Sequence, residues 1–126
     1  MDTTSGKLAR YQMYIGGQWV AAVNGEHFPS DNPFTGKPWA EIPRGNADDA
    51  ARAVEAAHQA LTSGEWPKLT ATRRGALLRK LGDLIADKSK FLAEIEVRDN
   101  GKLYAEMSAQ TAYMAQWYYY YGGLAD

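Results

Sequence analysis

The spacing of apolar positions changes near Asn46 and divides the chain into an extended part and a helical part. Before Asn46, short apolar or aromatic runs are separated by Gly16-Gly17 and Asn24-Gly25, dipeptides that tolerate the positive φ angles of tight turns. This pattern predicts a small antiparallel β-meander. The prolines of segment 38–43 limit that extended stretch to an edge strand. The runs that form the predicted meander are Tyr14-Ile15, Gln18-Trp19-Val20 and His27-Phe28.

After Asn46 the apolar period becomes about 3.6, which predicts a first helix. Asn46 is suited to the N-cap, and Asp48 and Asp49 complement the positive end of the helix dipole. Gly64 is predicted to end the helix. The apolar face of this helix contains Ala50, Ala53, Val54, Ala57, Ala60 and Leu61.

Two further helices follow. The second is predicted to open at Thr70 or Thr72 and to carry a leucine-rich apolar face. The third begins with Ser89 as its N-cap, buries Leu92 and Ile95, and ends at Asn100-Gly101 in a left-handed cap. The apolar face of the second helix contains Leu77, Leu78, Leu81, Leu84 and Ile85.

The last predicted helix spans about 103–121, ends at Gly122-Gly123, and is apolar or aromatic on nearly every side. Its run 107–125 contains no Asp, Glu, Lys or Arg, but polar residues interrupt it and no flanking Lys/Arg asymmetry favours a membrane span. We therefore expect a helix buried between protein layers. The three preceding helices are too few to cover it, so we expect the chain to be a piece of a larger protein. The small residues of this helix are Ala105, Ala109, Ala112 and Ala115, and its aromatic residues include Tyr113, Trp117 and Tyr118 to Tyr121.

Composition narrows the possible functions. The 126 residues carry a formal net charge of −1, which provides no general field for nucleic acid or for an anionic membrane, and we expect neither partner. The N-terminus has no apolar signal region, which predicts a cytoplasmic protein. The chain has no cysteine, so disulfides and thiol chemistry are excluded within it.

The predicted organisation is a flexible arm at 1–11, a β-hairpin and strand region at 12–45, and a helical part at 46–126.

Few side chains suggest chemistry on their own. The two histidines and the carboxylate pairs are best explained as ordinary surface or helix-end residues, and no glycine-rich phosphate loop links a strand to a helix. Asp99 either caps a turn or binds a cation, and capping is favoured. A basic cluster in and just before the second helix could contact the phosphates of a nucleic acid, so a nucleic-acid-binding function stays open as an alternative. Acidic residues on the same helix favour an ordinary solvated face. That cluster contains Lys68, Arg73, Arg74, Arg79 and Lys80.

Taken in order, the motifs resemble the N-terminal segment of the NAD(P)-dependent aldehyde dehydrogenases. The resemblance runs from about residue 13 to the end, and it departs at Gly122-Gly123-Leu124, where family members often have Ala-Gly-Trp. The matching stretches are Tyr14-Ile15-Gly16-Gly17-Gln18-Trp19-Val20, Asn32-Pro33-Phe34-Thr35-Gly36-Lys37, Asp49 through Ala57, Trp66, Arg74-Gly75-Ala76-Leu77-Leu78 with Leu81, Asp83, Leu84 and Ile85, Leu92-Ala93 with Glu96, Asp99-Asn100-Gly101-Lys102, and Tyr120-Tyr121-Gly122-Gly123-Leu124-Ala125-Asp126.

The resemblance implies an α/β parent enzyme whose N-terminal segment is α+β, a short antiparallel β-meander followed by about four helices. It implies oxidation of an aldehyde to a carboxylic acid with NAD or NADP, through a cysteine thiolate, hydride transfer to the nicotinamide and hydrolysis by a glutamate-activated water. The family's catalytic and cofactor-binding residues match no position here. We therefore expect the 126-residue chain alone to bind no cofactor and to have no dehydrogenase activity.

The resemblance also implies site residues and partners. The last helix resembles the one that lines the substrate tunnel, which makes Ala109, Tyr113 and Trp117 candidate substrate contacts, with core packing an equal alternative. Asp99 and the carbonyls near Ser30 and Asp31 resemble a monovalent-cation site. Expected partners are the remainder of the enzyme chain, an aldehyde substrate and further copies in a dimer or tetramer. A self-sufficient small helical binding or assembly module remains the alternative.

Overall fold

A computed structural model describes residues 8–125, and within them the fold is α+β, as predicted. The chain forms two compact units, one ending at Gly64 and the other beginning at Glu65. The first contains all five described strands and one helix, and the second contains three α-helices and the short 3-10 turn Trp66–Lys68. The elements are β1 (Ala9–Arg10), β2 (Met13–Ile15), β3 (Gln18–Val20), β4 (His27–Asn32), β5 (Lys37–Pro43), α1 (Ala47–Thr62), α2 (Ala71–Asp87), α3 (Ser89–Asn100) and α4 (Tyr104–Gly123).

The hairpin of β2 and β3 confirms the first turn prediction. Gly16 and Gly17 both adopt positive φ angles, 59° and 80°, which glycine reaches at no steric cost. Tyr14 lies opposite Trp19 in the antiparallel register, and their ring centroids are 5.0 Å apart. The cross-strand aromatic pair and the turn together fix the register of this hairpin.

The predicted meander is wrong beyond that hairpin, because β4 does not pair with β3. It pairs instead with β5 in a separate sheet of order β1-β5-β4. The carboxylate of Asp49, in the first turn of α1, accepts a hydrogen bond from the Val23 backbone N–H at 3.1 Å. This contact ties the segment after β3 to α1, so the chain does not fold back along β3.

The prediction that 38–43 is an edge strand is also wrong, since β5 is the central strand of its sheet. Pro38 and Pro43 lie near its two ends, and β1 pairs only with the intervening Ala40 and Glu41, which retain their N–H groups. Ala9–Arg10 were predicted to belong to a flexible arm, but they form β1 and pair with β5. Residues 1–7 of that predicted arm lie outside the described residues.

The helix α1 begins as predicted. The Asn46 side chain accepts from the backbone N–H of Asp48 at 3.0 Å and of Asp49 at 3.1 Å, and the Asp49 carboxylate accepts from the Asn46 N–H at 3.1 Å. This reciprocal capping box stabilises a helix start by about 1 kcal/mol. The predicted apolar face, however, is open, since Val54 is 70% and Leu61 60% exposed.

The helix α2 uses only part of the apolar face predicted for it, since Leu78 and Ile85 are half-buried while the other three leucines of that face are exposed. Its N-cap is Thr70, as expected, but its buried residues are Gly75 and Gly82. A Cβ at Gly75 would overlap the Gly122 carbonyl oxygen, and one at Gly82 would lie 2.7 Å from the Tyr119 ring. These glycines let α2 and α4 approach closely, and the side chains turned outward are Leu77, Leu81 and Leu84.

The pair α3 and α4 encloses the core of the second unit. Ala93 of α3 and Met107 and Ala115 of α4 are almost fully buried. The buried Thr111 hydroxyl lies 3.0 Å from the Ser89 carbonyl oxygen, which links the two helices. Ser89 is the first residue of α3 and does not cap it, whereas the left-handed cap at Gly101, with φ 74°, is as predicted.

The helix α4 is buried on one side only. Its buried residues recur along the face turned toward α2 and α3, while its aromatic residues are mostly exposed, so α2 and α3 cover only one side of it. The helix continues through Gly122 to Gly123, beyond the predicted end, because Gly122 fits closely against α2. Among the described helices, none has the length and hydropathy needed to cross a membrane.

Candidate functional site

A groove of about 590 Å³ runs along the outer, exposed face of α4. The three candidate substrate contacts, Ala109, Tyr113 and Trp117, all line it, because positions four residues apart lie on one side of a helix. Gln110 and Met114 complete the lining. The structure therefore brings the predicted tunnel residues together on one surface, although their contact with a substrate remains a prediction.

The aromatic pair gives the groove its shape. The Tyr113 and Trp117 ring centroids are 6.0 Å apart and their planes meet at 84°, an edge-to-face arrangement. Tyr113 is 60% and Trp117 54% exposed, so both rings present large apolar surfaces. A neighbouring depression of about 290 Å³ lies between these rings, Gln116 and Tyr120. The outer face is thus suited to contact apolar groups.

The chemistry available in this groove is binding, not bond-making. The polar groups of its lining are the amide of Gln110, the phenol of Tyr113 and the indole N–H of Trp117, with no carboxylate, imidazole or amine among them. Nucleophilic catalysis requires an activated nucleophile beside a base, and the lining offers no such pair. The groove can bury the apolar part of a ligand and leave a reactive group elsewhere.

The packing behind α4 fixes the direction of the outer face. Arg79 of α2 donates a hydrogen bond of 2.7 Å to the carbonyl oxygen of Gly122, near the end of α4. A Cβ at Gly122 would lie 2.9 Å from the Gly75 carbonyl oxygen. The two helices thus touch backbone to backbone. Glycines seven residues apart within α2, at 75 and 82, were the sequence signal for this contact.

Tyr119 lies beside this contact and has a perturbed pKa. Its hydroxyl donates a hydrogen bond of 2.9 Å to the Asp83 carboxylate of α2. That hydrogen bond raises the pKa of the Tyr119 phenol above its usual value of 10.0, because ionisation would remove the donor and place a second negative charge beside Asp83. The phenol therefore stays protonated as a donor across the physiological pH range.

The candidate cation ligands lie in different parts of the fold. Ser30 and Asp31 are neighbours in β4, at a register irregularity opposite β5. Asp99 is the penultimate residue of α3. Ser30 and Asp31 belong to the first compact unit and Asp99 to the second. Within residues 8–125, no group of three or more His, Cys, Asp or Glu side chains is arranged to hold a metal ion, and the cation assignment remains a prediction.

Comparison with known proteins identifies the family. The family model described as "Aldehyde dehydrogenase family" matches residues 19–126. The (Z)-2-((N-methylformamido)methylene)-5-hydroxybutyrolactone dehydrogenase of Acinetobacter baylyi is 44% identical over 94% of this chain and 24% of its own length. The mitochondrial aldehyde dehydrogenase family 2 member B4 of Arabidopsis thaliana is 37% identical over 95% of this chain and 22% of its own.

Solved structures give the same result. The chain resembles an NAD-dependent aldehyde dehydrogenase from Sinorhizobium meliloti with a TM-score of 0.84 and 31% identity, covering 97% of this chain and 24% of that one. A betaine aldehyde dehydrogenase mutant from Staphylococcus aureus, solved with NAD+, gives 0.87 and 35%, covering 91% and 23%. The chain thus spans about a quarter of the length of the relatives that it matches. This ordered match in sequence and in fold shows that the chain belongs to the aldehyde dehydrogenase family, as its N-terminal segment.

Proposed function

We propose that the chain serves as the N-terminal segment of an oxidoreductase that oxidises an aldehyde to a carboxylic acid with NAD or NADP. The observation that carries this proposal is the family match over residues 19–126. Two relatives with betaine aldehyde dehydrogenase in their names, from Bacillus subtilis and Staphylococcus aureus, add support, and the latter was solved with NAD+.

The reaction itself belongs to residues outside this chain. No cysteine is present to form a thioester, and no G-x-G-x-x-G sequence is present to bind a dinucleotide. The residues present do not fit a dinucleotide, so no catalytic step is assigned to them. The remainder of the enzyme chain is the expected partner, and the whole protein is expected to be a cytoplasmic dimer or tetramer.

Within that enzyme, the outer face of α4 is proposed as one wall of the aldehyde-binding tunnel. Ala109, Tyr113 and Trp117 share one groove, and its lining is largely apolar. Burying a substrate carbon chain against two aromatic rings contributes binding energy in proportion to the apolar area covered. Ala109 leaves room for the substrate beside the rings because its side chain is a single methyl group.

The alternative function, a self-sufficient helical binding or assembly module, is favoured by one observation, the exposed aromatic face of α4. Such a module would be a cooperative monomer, or a defined complex, that binds little apolar dye when purified. A segment of a larger enzyme would instead bind dye strongly or self-associate through its uncovered faces. Size-exclusion chromatography with dye titration distinguishes the two.

A chimeric enzyme tests the leading proposal. The corresponding segment of the Staphylococcus aureus betaine aldehyde dehydrogenase would be replaced by this chain, which is 35% identical to it. The chimera should form NADH from NAD+ and aldehyde, while this chain alone and the relative without its segment should not. Turnover by the chain alone, or a folded chimera without turnover, would contradict the proposal.

The same chimera tests the tunnel residues. Tyr113→Ala should raise the KM for the aldehyde about tenfold with a smaller effect on kcat, since it removes binding surface and not a reacting group. Tyr104→Ala, a matched change at an exposed tyrosine outside the groove, should leave the KM unchanged. Equal effects of the two variants would contradict the tunnel assignment.

A further inference from the structure

The chain contains two Asn-Gly sequences, Asn24-Gly25 and Asn100-Gly101. In such a pair the glycine backbone nitrogen can attack the asparagine Cγ with little hindrance, because glycine has no Cβ. Both glycines have positive φ angles, 69° and 74°. The two sites are therefore chemically equivalent in an unfolded chain, and only the folded structure distinguishes them.

The turn at Asn24 activates its side-chain carbonyl. The residue is exposed, and its Oδ1 accepts a hydrogen bond of 3.0 Å from the Glu26 backbone N–H. Such an Asx turn holds the side chain along the backbone of the following residue. The same N–H would stabilise the negative charge that develops on Oδ1 when Cγ is attacked.

The nitrogen that would attack, that of Gly25, is held by a backbone hydrogen bond within a turn. The Gly25 N–H donates at 2.9 Å to the carbonyl oxygen of the buried Ala22, in a turn whose other residues, 23–25, are exposed and which is part of no helix or strand. A Cβ placed on Gly25 would meet nothing within 4 Å, so no other part of the fold packs against the Cα of this glycine on that side. Freeing the Gly25 nitrogen breaks this one turn hydrogen bond and unwinds no helix or strand.

Asn100 accepts an equivalent hydrogen bond through its side-chain oxygen, but the residue and the glycine after it are held by additional hydrogen bonds at the end of α3. Its Oδ1 accepts from the Lys102 N–H at 3.0 Å. The Gly101 N–H, however, closes the last turn of α3 on the Val97 carbonyl oxygen at 2.9 Å. The Asn100 Nδ2 also donates to the Glu96 carboxylate at 2.5 Å. Reaction there requires α3 to unwind at its end, and the product carboxylate would face Glu96 four residues away.

We propose that Asn24 is a site of spontaneous deamidation in the folded chain and that Asn100 is protected. The Gly25 nitrogen, having lost its proton to solvent base, forms a bond to the Asn24 Cγ. The Cγ–Nδ2 bond breaks and the nitrogen leaves as ammonia, giving a succinimide. Water opens that ring to aspartate or isoaspartate, so the net change consumes one water, releases one ammonia and involves no oxidant or reductant.

Deamidation would lengthen a segment of the main chain that hydrogen bonds hold at both ends. The Val23 N–H is bound to the Asp49 carboxylate on one side of the turn, and the Glu26 carbonyl accepts from the Arg44 N–H at 2.9 Å on the other. Isoaspartate adds one carbon to the main chain between these two anchors. It also adds a negative charge next to Val23, whose N–H is held by another carboxylate. We expect the Val23–Asp49 contact to weaken.

The test is to incubate the full 126-residue chain at neutral pH and follow both sites by peptide mass spectrometry, with enzymatic methylation to detect isoaspartate. In the folded chain, Asn24 should convert at least about tenfold faster than Asn100, because only Asn100 requires a helix to open. In strong denaturant the two rates should become similar. Asn24→Ser should abolish the signal at its site, while Asn100→Ser should leave the Asn24 rate unchanged.

Two results would overturn the proposal. One is an Asn24 that stays an amide in the folded chain while it converts in denaturant. The other is conversion of Asn100 as fast as Asn24 without denaturant. Neither result bears on the dehydrogenase proposal, since that proposal rests on the family match and not on the rate at which either asparagine reacts.

Discussion

The inner and outer faces of α4 belong to one helix and yet use apolar residues in opposite ways. The inner face carries Met107, Thr111, Ala115 and Gly122, all buried against α2 and α3. The outer face carries Tyr113, Trp117 and other aromatic residues that stay exposed. Apolar content alone does not determine which side packs within the chain. Small or flexible side chains allow the helices to approach closely, while the large flat rings form a separate surface.

The largest expected difference in stability between the two faces comes from truncating one methionine on each. Met107 is 2% exposed and fills the space between α3 and α4, whereas Met114 is 40% exposed and lines the outer groove. Met107→Ala should lower the free energy of unfolding by about 3 kcal/mol, since it leaves a cavity. Met114→Ala should lower it by less than about 1 kcal/mol. Denaturant unfolding measures both, and similar losses would mean that the two faces do not differ.

The adjacent glycines at the end of α4 sharpen the comparison. A Cβ on Gly122 would lie 2.9 Å from the Gly75 carbonyl oxygen, whereas one on Gly123 would meet nothing within 4 Å. Gly122→Ala should therefore cost about 2 kcal/mol of stability through overpacking. Gly123→Ala should be neutral or slightly stabilising, because alanine favours helix. A neutral Gly122→Ala would show that α2 and α4 do not touch backbone to backbone.

The smallest expected effect concerns Tyr119, which contacts α2 at Gly82 and Asp83. Its phenol pKa is raised by the hydrogen bond to Asp83, so this contact stabilises the folded state fully below the ordinary tyrosine pKa of 10.0. The contribution is lost as pH rises through the raised pKa. The stability difference between the native chain and Tyr119→Phe should therefore shrink in alkaline solution. A difference that does not change with pH would argue against the bond.

Local signals in the sequence predicted the helices and their caps well. Asn46, Thr70 and Gly101 act as caps through hydrogen bonds or backbone conformations that involve only near neighbours. The Gly16-Gly17 hairpin is local in the same sense. These elements could be predicted because the residues that decide them lie within a few positions of one another.

Contacts between distant positions could not be predicted in the same way. The Val23 N–H is bound to the Asp49 carboxylate across 26 positions, and β4 pairs with β5 instead of with the preceding β3. In α2 the apolar pattern indicated Leu78 and Ile85, which are half-buried, but not Gly75 and Gly82, which are the most buried positions because α4 lies against them. Apolar periodicity measures hydrophobicity and does not register this close approach.

For the candidate site, the family resemblance singled out the last helix, and helical spacing placed Ala109, Tyr113 and Trp117 on one side of it. Gln110 and Met114, which also line it, carried no distinguishing pattern in the sequence. The role of the groove depends on where a substrate meets the rest of the enzyme, and the chain spans about a quarter of its relatives' length. That role is accordingly proposed from the family and from the apolar lining.

The most direct test of the two-faced helix is the rate of methionine oxidation in the folded chain. Dilute peroxide converts exposed methionine to its sulfoxide, and buried methionine reacts only when the structure opens. With Met107 at 2% and Met114 at 40% exposure, peptide mass spectrometry should find Met114 oxidised while Met107 remains intact. Denaturant should equalise the two rates. Equal oxidation of Met107 and Met114 without denaturant would contradict the division of α4 into a packed inner face and an open outer face.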